Sequence, residues 1–167
     1  MEIILVLHNI RSCYNVGAIL RTAEGFGLKQ VILSGYTPRV HDDNLLPHLR
    51  EKLDKEIHKT ALGAEDLVKI IPVDDIKTEL LKYRTAGATI IGLENNIKGD
   101  VFDLGDPRLK AKLGEKNILV LGEEVNGIDP ELYNLMNFFV EIPMRGKKES
   151  FNVSVAAAIA VYGIMNL

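Results

Sequence analysis

The chain has one cysteine, Cys13, which excludes an intrachain disulfide framework and leaves no cysteine cluster for structural zinc. A reducing compartment, the cytoplasm, is therefore expected. Also missing is a basic-then-apolar leader, because Met1 and Glu2 run directly into an apolar segment. The longest nearly unbroken apolar run, residues 155–164, falls well short of the roughly 20 residues that cross a bilayer. No membrane span is expected. Charge of one sign is not in excess: 20 Lys and Arg stand against 23 Asp and Glu, for a net charge of -3 and a pI near 5.8. That argues against a non-specific nucleic-acid coat, whose affinity would come from neutralising phosphates. Local basic patches remain, one at Arg145, Lys147 and Lys148 and a looser one at Arg50, Lys52, Lys55, His58 and Lys59.

Common catalytic signatures are absent too. No G-x-S-x-G elbow is present, and His8, His41, His48 and His58 lie far upstream of the serines near the C-terminus, with no spacing that specifies a partner. His48 and His58 are ten residues apart and make no helical metal pair, so no metal site is expected. The string Gly122-Glu123-Glu124-Val125-Asn126-Gly127 has glycines five apart with acids between them. It is neither a dinucleotide fingerprint nor a phosphate-binding loop. A cationic ligand fits it better than a nucleotide triphosphate, and a plain turn leading into a helix is the alternative.

What is present is a chain of 167 residues, enough for one compact domain burying roughly 70% of its extended surface. No disordered or low-complexity tract is visible, and one domain over 1–167 with no separate RNA-binding extension is expected. Short apolar runs at residues 3–7, 31–33, 68–71, 89–93, 118–121 and 138–142 read as strands. Helices are expected from about 16 to 27, over 42–60 with Pro47 near the start, from an Asp74 cap to Arg84, over 130–136 and over 153–165. Residues 97–115 read as an irregular crossing segment. Strands alternating with helices predict an α/β fold, a mostly parallel sheet with helices on both faces. Ligands in such sheets bind beyond the carboxyl ends of the strands. Here those ends carry residues 8–15, 94–96, 122–127 and 143–152.

The last helix is apolar around its whole circumference, from Val153 to Met165. A domain this small covers one side of a terminal helix, so the other side is expected to meet a second copy of the chain, forming a homodimer.

Several polar residues have both a structural and a chemical reading. Arg21 sits among the apolar residues Val16, Ile19, Leu20 and Ala23, which suggests a half-buried guanidinium. Such a group needs a carboxylate, phosphate or carbonyl partner. It is either a structural salt bridge or an arginine aimed at a phosphate or a reacting hydroxyl. Asn15 either caps the first helix or orders a ligand corner. Gly17 suggests close access to the helix backbone, including an anion held by a backbone amide. Ser150, Asn152 and Ser154 are all candidate caps of the last helix, and Cys13 reads as a small apolar filler.

Taken together these residues resemble the knotted RNA methyltransferases of the SPOUT class, specifically the SpoU or TrmH branch that methylates ribose 2'-hydroxyls. The resemblance is carried by NIRSCYNVGAILRTAEGFG at 9–27, ILVLGEEVNGIDP at 118–130, IPMRGKKESFNVSVAAAIAVYG at 142–163, and a smaller match, KTALGAE, at 59–65. It covers nearly the whole chain. The resemblance implies a deep trefoil knot (the alpha-beta knot) in the last third, a feature that general folding rules disfavour. It also implies S-adenosyl-L-methionine (AdoMet) as cofactor, with Leu93, Gly122, Ile142, Met144 and Phe151 lining the adenosyl site. By the same likeness Arg21 activates the ribose hydroxyl or holds its adjacent phosphate, and Asn15 orders the corner. Glu124 is the acidic member of the second block, and Ser150 and Asn152 begin the third. Phe151 stands where leucine is common in the family, and Val125 and Asn126 where proline and glycine are frequent. RNA contacts are expected from Arg11, Arg39, Arg50, Lys52, Arg145, Lys147 and Lys148. The expected substrate is tRNA rather than ribosomal RNA, since a compact dimer must find enough contact on a small partner. Methylation of ribosomal RNA or of another RNA position, and a non-catalytic RNA-binding dimer, are the alternatives.

Overall fold

The computed structural model describes residues 1–167. Seven parallel strands form one sheet in the order β3-β2-β1-β6-β4-β7-β5. They are β1 (Glu2–His8), β2 (Gln30–Ser34), β3 (Lys69–Val73), β4 (Thr89–Leu93), β5 (Val101–Asp103), β6 (Lys116–Leu121) and β7 (Phe138–Glu141). Four helices cover them: α1 (Cys13–Gly25), α2 (Pro47–Ala61), α3 (Ile76–Thr85) and α4 (Val153–Met165).

Alternation along the central strands divides the core into two layers. Ile3, Leu5 and Leu7 of β1, with Leu119 and Leu121 of β6, face α1, α2 and α4. Ile4 and Val6, with Ile118 and Val120, face α3 and the short 3₁₀ helix Pro130–Leu135. Both faces are buried, so these strands read as unbroken apolar runs.

Residues 97–115 are more ordered than expected. They hold β5 and a 3₁₀ helix, Pro107–Lys112, so the sheet has seven strands where six were legible. The extra strand is three residues long with only Phe102 buried, too little to produce a hydrophobic pattern. It is held by pairing with β7 and by the Phe102 ring, edge-on to Phe138 at 5.6 Å.

Helix starts shift by a few residues. α2 begins at Pro47 rather than 42, because Leu46 before the proline is extended and the ring fits the first helical turn. α3 is capped by Asp75, which accepts from Thr78 N, while Asp74 pairs with Arg39 instead. Residues 130–136 close as 3₁₀ turns rather than an α-helix.

Gly17 has a clear structural cause. A Cβ there would lie 2.3 Å from Ile57 O and 2.3 Å from Thr60 Oγ1, so α1 and α2 touch backbone to backbone. The neighbour that requires the glycine is α2, not an anion. The KTALGAE segment supplies this contact, with Thr60 Oγ1 donating to Tyr14 O at 2.9 Å. Buried Glu65 closes the segment by accepting from Gly63 N and meeting the His58 ring.

No helix is long and apolar enough to cross a membrane. α4 buries Ala157, Ala160, Val161 and Ile164 against the sheet and α1, while Val155, Tyr162 and Met165 stay 45%, 60% and 45% exposed. The helix is therefore half covered in one chain.

Candidate functional site

A cleft of about 170 Å³ opens at the carboxyl ends of β4, β6 and β7, where doubly wound sheets bind ligands. Its apolar wall is Leu93, Leu121, Ile142, Phe151, Val153 and Ala156. Its polar rim is Glu94, Asn95, Glu123, Glu124, Ser150 and Asn152.

The β6 side of the cleft is a loop closed on itself. Glu123 N donates to Gly127 O and Gly127 N to Glu123 O, both at 2.9 Å, so 123–127 forms a tight ring two residues before the 3₁₀ helix Pro130–Leu135. Gly122 has no room for a side chain, since a Cβ would lie 2.2 Å from the Gly127 carbonyl carbon. The β4 side is set by two residues that sequence reasoning placed in a ligand loop but gave no role. Glu94 accepts from Ile128 N at 2.9 Å and from Asn95 N at 3.1 Å. Asn95 accepts from Ile142 N at 3.2 Å and donates to Ile142 O at 3.3 Å and Glu149 O at 3.1 Å. The only local signal for them is a Glu-Asn-Asn run following a buried strand.

Three of the candidate catalytic residues form one chain of hydrogen bonds. Glu124 accepts from Arg11 N at 3.3 Å, Ser12 N at 3.4 Å and Asn15 Nδ2 at 3.0 Å. Asn15 Oδ1 then accepts from Asn152 Nδ2 at 3.2 Å. Asn152 also caps α4, accepting from Ser154 N at 3.0 Å, so one asparagine is both cap and link. The cap of α1 is Ser12, which accepts from Asn15 N; Asn15 itself is left free to reach across. Burial alone would push the Glu124 carboxyl up, but its own amide, the Asn15 side chain and the Arg11 and Ser12 amides outweigh this and hold it below the usual range. Glu124 is thus a carboxylate at neutral pH whose lone pairs are committed to backbone and amide donors. Ser150 lines the cleft without a hydrogen bond.

Arg21 departs from its expected setting. It is exposed, has no ion pair or hydrogen-bond partner, and is not part of the cleft lining. Its apolar neighbours in sequence are on the inner face of α1, and adjacent helical residues do not share a face. From Asn15 it lies about 9 Å along the axis and about 120° around it.

Leu93, Gly122, Ile142 and Phe151 line the cleft, while Met144 lies outside it, half-buried. Among the basic residues, Arg11 pairs with Glu123 at 3.1 Å, Arg39 with Asp74 at 2.6 Å, and Arg50 with Asp43. Their charge is partly offset. Lys52, Arg145, Lys147 and Lys148 are free of acidic partners. Cys13 has its thiol pushed up by burial first and then by Glu56, which suits a filler between α1 and α2 rather than a nucleophile.

Comparison with known proteins adds relatives to this geometry. The chain is 27% identical over 162 residues to a 23S rRNA (guanosine-2'-O-)-methyltransferase, RlmB, of Pseudomonas putida, covering 96% of this chain and 57% of that protein. It is 32% identical over 162 residues to an uncharacterized tRNA/rRNA methyltransferase of Borreliella burgdorferi, covering 96% and 62%. The chain thus spans about 60% of the length of these curated relatives. Among solved structures, an AdoMet-bound rRNA methyltransferase from Sinorhizobium meliloti superposes with a TM-score of 0.79 at 19% identity, over 99% of this chain and 56% of that one. At that identity the likeness establishes the fold. The SpoU rRNA Methylase family pattern matches residues 2–162, nearly the full chain and all four segments of the resemblance, and the chain belongs to that family.

Proposed function

We propose that this chain transfers a methyl group from S-adenosyl-L-methionine to a ribose 2'-hydroxyl of RNA. The observation that carries the reading is the meeting of the three family segments at one cleft, through Asn15, Glu124 and Asn152. AdoMet, when bound, supplies an electrophilic methyl on a sulfonium centre. The residues present fit such a group: an apolar wall for the adenine and ribose, backbone groups of a glycine-tight loop, and carboxylates in place of a phosphate-binding cation. The enclosed space is smaller than the roughly 300–1,000 Å³ of typical small-molecule sites, so the cofactor would lie partly in the open mouth.

In this reading Leu93, Gly122, Ile142 and Phe151 hold the adenosyl group, with Asn95 and Glu94 fixing the loops that bear them. Asn15, Glu124, Ser150 and Asn152 position the reacting corner, where alignment supplies much of the rate. A guanidinium presents a two-pronged donor face that matches phosphate, so Arg21 acts on the phosphate beside the target ribose rather than as a base.

Arg21 reaches the reacting corner from a second copy of the chain, docked on the open face of α4. The support is the exposed row Val155, Tyr162 and Met165 together with the lack of any partner for Arg21 in one chain. We also read the last third as a trefoil knot, residues 142–152 passing through the loop after β4. The bonds from Asn95 to Ile142 and Glu149 support it. RNA contacts fall to Lys52, Arg145, Lys147 and Lys148 first, and to Arg11, Arg39 and Arg50 through their exposed edges. The relatives' names include both tRNA and rRNA, and the substrate is one of these in the cytoplasm. A second reading, a non-catalytic RNA-binding dimer, draws on the distance between Arg21 and the cleft within one chain.

The test is incubation of total RNA from cells lacking the protein with labelled AdoMet, followed by nuclease digestion and mass spectrometry. Label on a ribose 2'-oxygen at one nucleotide is expected. Label on a base, or RNA retention with no label, overturns the reading.

A further inference from the structure

Beyond the cleft lining, one large side chain at the carboxyl ends of the strands is both exposed and firmly mounted. Tyr36, in the loop leaving β2, is 52% exposed, and its backbone is braced by side chains that reach the core. His8 is buried, with Nδ1 2.9 Å from Ser34 Oγ and Nε2 3.2 Å from Asn9 Nδ2. Burial holds the His8 ring below its ordinary pKa by more than nearby Asp129 raises it, so a neutral ring stands behind Asn9. Asn9 is itself in the left-handed region, φ 61°, and accepts from Tyr36 N through Oδ1 at 3.3 Å. Gly35, at φ 62°, cannot be replaced, since a Cβ would lie 1.9 Å from Asn9 Oδ1.

One uncommon backbone conformation, at Asn9, and a buried histidine therefore hold the backbone beneath an aromatic ring in water, where the ring adds no core burial. Such features mark sites where geometry is needed for something other than stability. The ring's surroundings indicate what. The next residue, Thr37, accepts from Ile10 N through its hydroxyl at 3.1 Å, which sets the Tyr36 loop against the residues leading to Arg11 and the cleft rim. Glu123 is paired at 3.1 Å with Arg11, whose side chain stays 58% exposed. Residues 9–11 thus join the loop that bears the aromatic ring to an exposed guanidinium and the mouth of the cleft. RNA-binding proteins read unpaired strands with this combination, bases stacking on aromatic rings and cations tracking the backbone.

We propose that Tyr36 is the stacking platform for an unpaired nucleobase of the RNA strand entering the cleft, with Arg11 holding the phosphate next to it. The proposal rests on the methyl-transfer reading and narrows its substrate to looped or single-stranded RNA, because a base closed in a duplex has no free face for the ring.

The experiment has two arms. In the first, methyl transfer to heat-unfolded total RNA is measured for the wild type, Tyr36→Ala and Tyr36→Phe. Loss of one stacked base raises KM for RNA roughly 5- to 100-fold in Tyr36→Ala, more than it lowers kcat, with AdoMet affinity within about twofold. Tyr36→Phe, which keeps the ring face, restores KM. In the second arm, an unstructured oligoribonucleotide carrying 5-iodouridine is photo-cross-linked to the wild type and mapped by mass spectrometry, and a cross-link on Tyr36 is expected. Methyl transfer with unchanged KM in Tyr36→Ala and no cross-link overturns the platform and leaves the activity standing. A cross-link on Tyr36 in a wild type that transfers no methyl removes the activity and keeps the platform. Tyr36→Phe as impaired as Tyr36→Ala shows that the hydroxyl rather than the ring face is used, and overturns the proposal.

Discussion

At the cleft, the polar side chains other than Ser150 are paired within a single chain, whereas the outer faces of α1 and α4 carry groups the chain leaves alone. Glu124 has three donors, Asn95 spans two backbone partners, and no buried polar side-chain atom anywhere lacks a hydrogen bond. Arg21, on the opposite side of α1 from the sheet, has none, and Val155, Tyr162 and Met165 face water. Satisfied groups are pre-organised and bind without rearrangement. An exposed apolar row beside a free cation is where a partner can dock. In the proposed reading, a single chain thus holds a finished cofactor site beside an unfinished reacting site.

The strongest way to break that contrast is at Arg21. Arg21→Ala lowers single-turnover methyl transfer by at least about 100-fold, in the range seen when one transition-state contact is removed, while AdoMet affinity stays unchanged in calorimetry. Near-normal transfer by this variant would take Arg21 out of the proposed reaction centre and leave it to Asn15, Glu124 and Asn152. Arg21→Lys recovers only part of the rate, since a point charge does not reproduce the two-pronged grip of guanidinium on phosphate.

Next in size is the interface. Tyr162→Glu puts a charge on the open face of α4 and leaves the single-chain core untouched apart from the Tyr162 contact with Phe26, ring centroids 6.3 Å apart. Light scattering should show a dimer for the wild type and a monomer for the variant. Transfer should drop at least about tenfold, with cofactor binding kept, as expected when the missing piece is a partner rather than a fold. A wild-type monomer at micromolar concentration, or a monomeric variant with full activity, would overturn the delivery of Arg21 by a second copy.

The same contrast explains what sequence alone could reveal. Central strands were legible because both of their faces are buried, which leaves unbroken runs such as residues 3–7 and 118–121. β5 was not, because one buried phenylalanine in three residues carries no period. Loops at the carboxyl ends of the strands, which meet at the cleft, were legible from their polar residues, but their partners were not. Asn95 meets Ile142, 47 positions away, and no local pattern encodes such a pairing. Arg21 was misplaced for a simpler reason. Apolar neighbours in sequence suggested burial, while helical geometry turns residue 21 away from residues 16, 19, 20 and 23. Gly17 was correctly read as a point of close approach, but to α2.

The smallest effect concerns pH and separates the braced turn from the cleft. His8 has a folded pKa below its ordinary value, so the unfolded chain takes a proton that the folded one refuses. Its contribution is full above the ordinary histidine value of about 6.5 and declines as pH falls below it. Glu124, also depressed, contributes fully above the ordinary carboxylate value of about 4.3 and declines as pH falls through its lower folded value. His41 runs the other way. Hydrogen bonding to Asp66 raises it against some desolvation, with Asp54 adding to the rise, so its small, solvent-screened contribution is present below about 6.5 and lost as pH climbs. Urea unfolding between pH 8 and pH 3 should therefore show maximal stability near neutrality and two successive losses on the acid side. Each loss has a slope of at most about 1.4 kcal/mol per pH unit. His8→Asn should flatten the first and Glu124→Gln the second. Retention of the first loss in His8→Asn would mean that the brace beneath Tyr36 does not depend on a neutral imidazole.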